Sequence, residues 1–132
     1  MKVAIITDQH FGFKKGSKLW LDYFQKFYDD IFFPTLEKHG IDTILDLGDT
    51  FDNRKGVDLC SLNWAKDNYF DPIRDKGMSM ISIVGNHTAF YKNTNDINTI
   101  DLMLREYKNI RILEECEEIT VGGLPILFIP WI

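Results

Sequence analysis

The 132-residue chain sets 15 Lys and Arg against 20 Asp and Glu, a net charge of −5, and is 45% hydrophobic and 14% aromatic. That length leaves room for one domain, the apolar fraction is ordinary for a globular protein, and the acidic surplus excludes a general electrostatic attraction to nucleic acid. Cys60 and Cys116 form no metal or redox motif, no signal peptide follows Met1, and the apolar stretch 124–132 is too short to span a bilayer, so a reducing cytoplasm without membrane attachment is expected.

Taken in order, Lys2–Thr7 (KVAIIT) is a predicted strand that runs into Asp8-Gln9-His10. A loop over 11–16 leads to Ser17, a helix N-cap, and an apolar pattern at helical spacing over Lys18–Lys38. Leu19, Tyr23, Phe27 and Ile31 form one stripe, with Trp20, Phe24 and Tyr28 beside it, both read as core. Pro34 predicts a kink near Phe33, and Gly40 follows the helix as a C′ residue. Thr43–Leu47 is a buried strand that turns at Gly48 into Asp49. Asp58 can cap a helix over 59–74, interrupted at Pro72, with Leu59, Leu62, Ala65, Tyr69 and Phe70 as its apolar positions. A third strand, 78–84, runs into Gly85-Asn86-His87. Next come a polar loop over 88–95, a helix over 97–107 capped by Asp96, and a short strand over 109–113. The acidic run 114–118 reads as a solvated turn. A hairpin follows, 119–121 and 124–129, joined by Gly122-Gly123. No repeat, low-complexity tract or linker interrupts this order. Strand–helix alternation implies a mostly parallel sheet with flanking helices, an α/β fold ending in a hairpin.

Three of these strands end in chemistry-bearing residues at their carboxyl ends, where open α/β sheets build their sites. Asp8, His10, Asp49, Asn86 and His87 would thereby share one small volume. Hard oxygen donors mixed with imidazole suit manganese, iron or zinc, and the absence of thiolate argues against a structural zinc site. Singly, each has a plainer reading. Asp8 and Asp49 could cap the segments that follow them, and His10 and His87 could be loop histidines. The threefold repetition of strand followed by ligand-type residue outweighs those readings. His39 goes the other way, because the dipole at a helix end explains it.

Asp8-x-His10, Gly48-Asp49-x-x-Asp52 and Gly85-Asn86-His87 resemble the first three motifs of calcineurin-like metallophosphoesterases, in order and separation. Within that superfamily the chain resembles the SbcD-type DNA repair and recombination nucleases, and most of all their phage endonuclease subunits, through Asp8-Gln9-His10-Phe11-Gly12, Gly48-Asp49-Thr50-Phe51-Asp52, Arg54-Lys55, Tyr91-Lys92-Asn93 and Ile129-Pro130-Trp131. The resemblance implies one half of a two-sheet sandwich with outer helices, and a single, incomplete phosphoesterase domain over residues 1–132. It also implies two divalent ions, most simply Mn²⁺. Asp8 and His10 would hold one ion, Asn86 the other, with Asp49 as the bridge and His87 as the catalytic group at the leaving oxygen. Asp52, Arg54 and Lys55 would flank the site. DNA, an SMC-like ABC ATPase subunit of SbcC type and a second copy of the chain are the implied partners. Segments 59–70 and 97–107 would pair the copies, with Leu59, Leu62 and Ile100 as candidate contacts.

Two departures stand out. Thr88 occupies a position usually acidic in the family, and within these 132 residues His10, His39 and His87 are the only histidines, so the family's Gly-His-x-His motif is absent from them. A phosphatase acting on monoesters or phosphoproteins is a second reading, weakened by Asp52-Asn53-Arg54 where protein phosphatases tend to carry Asp-Arg-Gly. A non-catalytic scaffold docking an ATPase is a third, weakened by the retained ligand-type residues.

Overall fold

The computed structural model describes residues 1–11, 18–50, 59–83, 89–91, 94–98 and 107–130. Four parallel strands form the central sheet in the order β1-β2-β3-β6: β1 is Ala4–Ile6, β2 Thr43–Asp46, β3 Ser79–Ile83 and β6 Ile110–Leu113. Each strand is one to three residues shorter than its sequence pattern, β1 by the most. Pairing nonetheless continues past the formal ends, as in the bond from Leu47 N–H to the Ile6 carbonyl, 2.9 Å.

The period-2 alternation of these strands sorts their side chains onto two faces. Ile44, Met80 and Ile110 pack with the helices in the main core, joined by Ala4, Ile6 and Ile112. Leu45 and Leu113 face the other way and pack under Phe128, Ile119 and Ile126 of the hairpin, β7 (Glu117–Val121) and β8 (Leu124–Phe128). Gly122 and Gly123 take φ of 59° and 84°, the positive pair that a two-residue hairpin turn requires. On that second face Ile5 and Leu47 stay exposed. The acidic run is half strand: Glu117 and Glu118 belong to β7, and Glu117 accepts a 2.6 Å bond from Arg111.

The helical layer follows an unexpected common rule. The first long helix consists of α1 (Lys18–Phe27), a π-helical turn (Tyr28–Phe32) and α2 (Phe33–His39); the second of α3 (Leu59–Ala65), a π turn (Lys66–Phe70) and α4 (Asp71–Asp75). Both π turns end just before a proline, Pro34 or Pro72. A proline inside a helix has no N–H and crowds the carbonyl four residues back. Widening the turn resolves both problems, with the Phe33 and Asp71 N–H groups bonding back to the Tyr28 and Lys66 carbonyls. The expected kinks are therefore π turns, and the rings they carry, Tyr28, Phe32, Tyr69 and Phe70, are buried. Gly40 ends α2 with φ 64°, as expected.

Two expectations need correction. The stripe Leu19, Tyr23, Phe27 and Ile31 is not core: Leu19 is 77% and Ile31 57% exposed. The neighbouring stripe, with Phe24 partly and Tyr28 and Phe32 fully inside, faces the sheet instead. The two lie about 100° apart on the helix and both are apolar, so periodicity could not choose between them. The second correction concerns the two ends of the expected helix over 97–107, of which 99–106 lie outside the described residues. Ile97 and Asn98 belong to a strand, β5 (Thr94–Asn98), paired antiparallel with β4 (Ala89–Tyr91), and Tyr107 is buried outside any helix. Asp96 is therefore a strand residue rather than a cap. The rings and Thr in 89–94 favour strand, with a hairpin-length gap of two residues between Tyr91 and Thr94. Ile100 lies outside the described residues. Of the other candidate contacts, Leu62 packs against the core while Leu59 is 82% exposed. Among the described residues no helix is long and apolar enough to cross a membrane.

Candidate metal centre

β1 and β2 are parallel neighbours with Ile6 opposite Asp46, so the loops that leave their carboxyl ends start side by side. Backbone bonds then lace the loops together: Asp8 N–H to the Gly48 carbonyl at 3.1 Å, His10 N–H to Asp49 at 2.9 Å, Phe11 N–H to Thr50 at 2.7 Å. Phe11 anchors the first loop in the core, its ring 5.5 Å from that of Trp64 and 5.6 Å from that of Tyr69.

This lacing brings together ligand-type atoms of Asp8, His10 and Asp49, all within 4.8 Å of one another, with Asp8 Oδ1 3.6 Å from His10 Nε2. Two carboxylates and an imidazole at that spacing suit a divalent ion that takes oxygen and nitrogen donors at about 2.0–2.2 Å from each. The backbone supports the same assignment. Among the described non-glycine residues, those with positive φ are Asp8 (56°), His10 (49°) and Asp49 (52°). A left-handed conformation costs a side-chain-bearing residue on the order of 1 kcal/mol or more and persists where the surroundings enforce it, characteristically at ligand sites. Ordinary capping residues would carry no such strain. Asn86, His87, Thr88, Asp52, Arg54 and Lys55 lie outside the described residues.

Beneath the three side chains sits a group whose role sequence reasoning missed. Asp46 is fully buried, yet among the described residues no lysine, arginine or histidine pairs with it. Its Oδ1 accepts bonds from Gly48 N–H and Thr50 Oγ1, each 3.2 Å, and its Oδ2 from Gln9 Nε2 at 2.9 Å and Tyr69 Oη at 3.3 Å. Gln9 Oε1 in turn accepts from Tyr28 Oη. Burial pushes the Asp46 carboxyl up to about 6, against the pull of its four donors. Burial, helped by the Asp46 charge, holds the Tyr28 and Tyr69 phenols well above their usual range. The signal was present in the sequence: an acid at the alternation position of Ile44, inside an otherwise apolar strand. An open cleft of about 470 Å³ adjoins the first loop, lined among others by Asp8, Tyr23, Phe27 and Ile31.

Residues 1–126 match the family model of calcineurin-like phosphoesterases. The chain is 29% identical over 131 residues to exonuclease subunit 1 of Enterobacteria phage T4, a match that covers 99% of this chain and 38% of that protein. The crystal structure of Pseudomonas putida nuclease MPE superposes with a TM-score of 0.55 at 23% identity, over 86% of this chain and 48% of that one, a likeness of fold. The chain thus spans less than half the length of either.

Proposed function

The chain belongs to the calcineurin-like phosphoesterase family, and on that premise we propose that it is the N-terminal part of a metal-dependent DNA nuclease acting in recombination and repair. The observation that carries the proposal is the convergence of Asp8, His10 and Asp49, each in a left-handed backbone, at the carboxyl ends of adjacent parallel strands. A similar phage protein named as an exonuclease subunit favours a nucleic-acid substrate over a phosphomonoester.

In this reading Asp8, His10 and Asp49 would hold a divalent ion, most simply Mn²⁺, and Asn86 with Asp49 would serve a second. Such ions supply charge neutralisation at the phosphate and lower the pKa of a water. The chain's own residues do the rest. The laced loops fix the donors, His87 gives a proton to the leaving oxygen, and Arg54 and Lys55 hold the phosphate backbone. Further donors would come from a segment outside these 132 residues or from another chain. A homodimer and an ABC ATPase of SbcC type belong to the same proposal.

The test is Mn²⁺ titration of the purified chain by calorimetry, beside a nuclease assay on the same samples. Wild type is expected to bind Mn²⁺ weakly, and Asp49→Ala to lose binding at both positions. An Asp49→Ala protein that keeps one ion at wild-type affinity would show that Asp49 is not shared.

A further inference from the structure

Among the described residues, every hydrogen-bond partner of the buried Asp46 carboxylate except Tyr69 sits next to a candidate ligand. Gly48 and Thr50 flank Asp49, and Gln9 lies between Asp8 and His10. One oxygen therefore grips the second loop on both sides of its ligand, while the other grips the first loop midway between its two ligands. Tyr69 and Tyr28 brace this arrangement from the two long helices. All four groups on Asp46 are donors here, a pattern that only an acceptor-only group such as a carboxylate satisfies in full.

The plain alternative is a fold-stabilising acid at a strand end. Burying a carboxylate that has no cationic partner among the described residues is costly, and the surrounding core is apolar and aromatic, so core packing alone does not account for an acid here. The contacts of Asp46, moreover, go to the two loops whose strained backbones carry the donors. We infer that Asp46 is a positioning residue for the metal centre, holding the Asp8–His10 and Asp49 loops at the separation a divalent ion requires. This rests on the proposed ligand role of Asp8, His10 and Asp49. Groups that hydrogen-bond metal ligands directly typically change affinity ten- to a hundredfold when replaced, and Asp46, acting through the residues beside the ligands, is expected at the lower end of that range.

The experiment is Mn²⁺ calorimetry on the full 132-residue chain, with thermal unfolding in chelator recorded for each variant. Asp46→Asn keeps the shape but turns one acceptor into a donor, and is expected to weaken Mn²⁺ binding tenfold or more while still unfolding cooperatively. The paired change Asp46→Asn with Gln9→Glu reverses the polarity of one bond and preserves it: Asn Nδ2 donates to the new carboxylate, which still accepts from Tyr28, while the Tyr69 hydroxyl turns to accept. It is expected to recover affinity to within about threefold of wild type. A merely structural role would move the melting temperature and leave affinity alone. Should Asp46→Asn fail to fold, Thr50→Val removes one grip within a fully buried, near-isosteric site and is expected to weaken Mn²⁺ binding severalfold. Wild-type affinity in folded Asp46→Asn, or in Thr50→Val if only that variant folds, overturns the inference. So does an Asp46→Asn loss that the paired change leaves unrepaired. Asp49→Ala is the control that separates the two readings. Loss of Mn²⁺ there with none in Asp46→Asn sinks the positioning role alone, whereas a wild-type chain that takes up no Mn²⁺ sinks the metal assignment and this inference with it.

Discussion

The Asp46 carboxyl, raised on folding from 3.8 to about 6, makes the metal-free chain sensitive to acid in an unusual direction. A raised carboxyl keeps its proton in the folded state at a pH where the unfolded chain has lost it. Its contribution to stability is therefore fully present below about pH 4 and is lost as pH climbs through 6. Most salt-bridged carboxylates behave oppositely, so the effect must be read as a difference in which they cancel. In chelator, wild type is expected to lose stability relative to Asp46→Asn between pH 4 and 6, by up to roughly 3 kcal/mol at about 1.4 kcal/mol per pH unit. Chemical denaturation of both proteins across that range measures it, and a pH-independent difference would show that the carboxyl is not raised. At this scale the sequence marks the candidate ligands and says little about what supports them. Asp8, His10 and Asp49 could be read from their place after strands. The bonds of Asp46 to Gln9, Thr50 and Tyr69 span up to 37 positions, and no local pattern records them.

Among the elements, the two long helices show where periodicity stops being informative. α1 and its π turn carry two adjacent apolar stripes, and the inner one is selected by contacts made far away: the Tyr28 hydroxyl reaching Gln9, and its ring meeting those of Phe11, Trp64 and Tyr69. The outer stripe should then tolerate polarity. Leu19→Ser is expected to change stability by no more than about 0.5 kcal/mol, while Leu36→Ala, in the core, should cost about 2–5 kcal/mol. Equal losses in the two variants on thermal unfolding would mean that the outer stripe is covered in solution. Leu59 on α3 poses the analogous question for the proposed homodimer. If the chain is a dimer by light scattering, Leu59→Glu should yield a folded monomer, because that side chain is exposed and Leu62 is not. A Leu59→Glu protein that stays dimeric removes α3 from the interface. The strands were easier to read than the helices, since each parallel strand is short, apolar and closed by Gly, Asp or a polar loop. The β4–β5 pair is hidden in the sequence because Asp96-Ile97 looks equally like a helix cap with an apolar start and a piece of strand.

For the chain as a whole the governing fact is its acidic balance, and the proposed function adds a partial donor set. With a net charge of −5, the chain has no general pull on a phosphate backbone, so in the proposed function DNA contact would be concentrated where divalent ions offset the carboxylates. Only His10 and His87 of its three histidines follow strand ends; His39 closes α2. In the proposed function two ions therefore have fewer donors than in-line displacement needs, and misplacing a reacting group by about 1 Å can cost roughly a hundredfold in rate. The isolated chain is accordingly expected to cut double-stranded DNA in Mn²⁺ at most at about a hundredth of the rate reached once a segment bearing a Gly-His-x-His motif is joined to it or added. In that completed protein His87→Ala should keep Mn²⁺ and DNA binding but lose about a hundred- to ten-thousandfold in cleavage, the range a positioned acid supplies. Metal content measured on the assayed samples separates the outcomes. Equal rates for isolated and completed chains would defeat the two-ion reading of these 132 residues. A His87→Ala protein that loses metal, beside an Asn86→Ala protein that keeps it, would show that these two neighbours hold each other's roles.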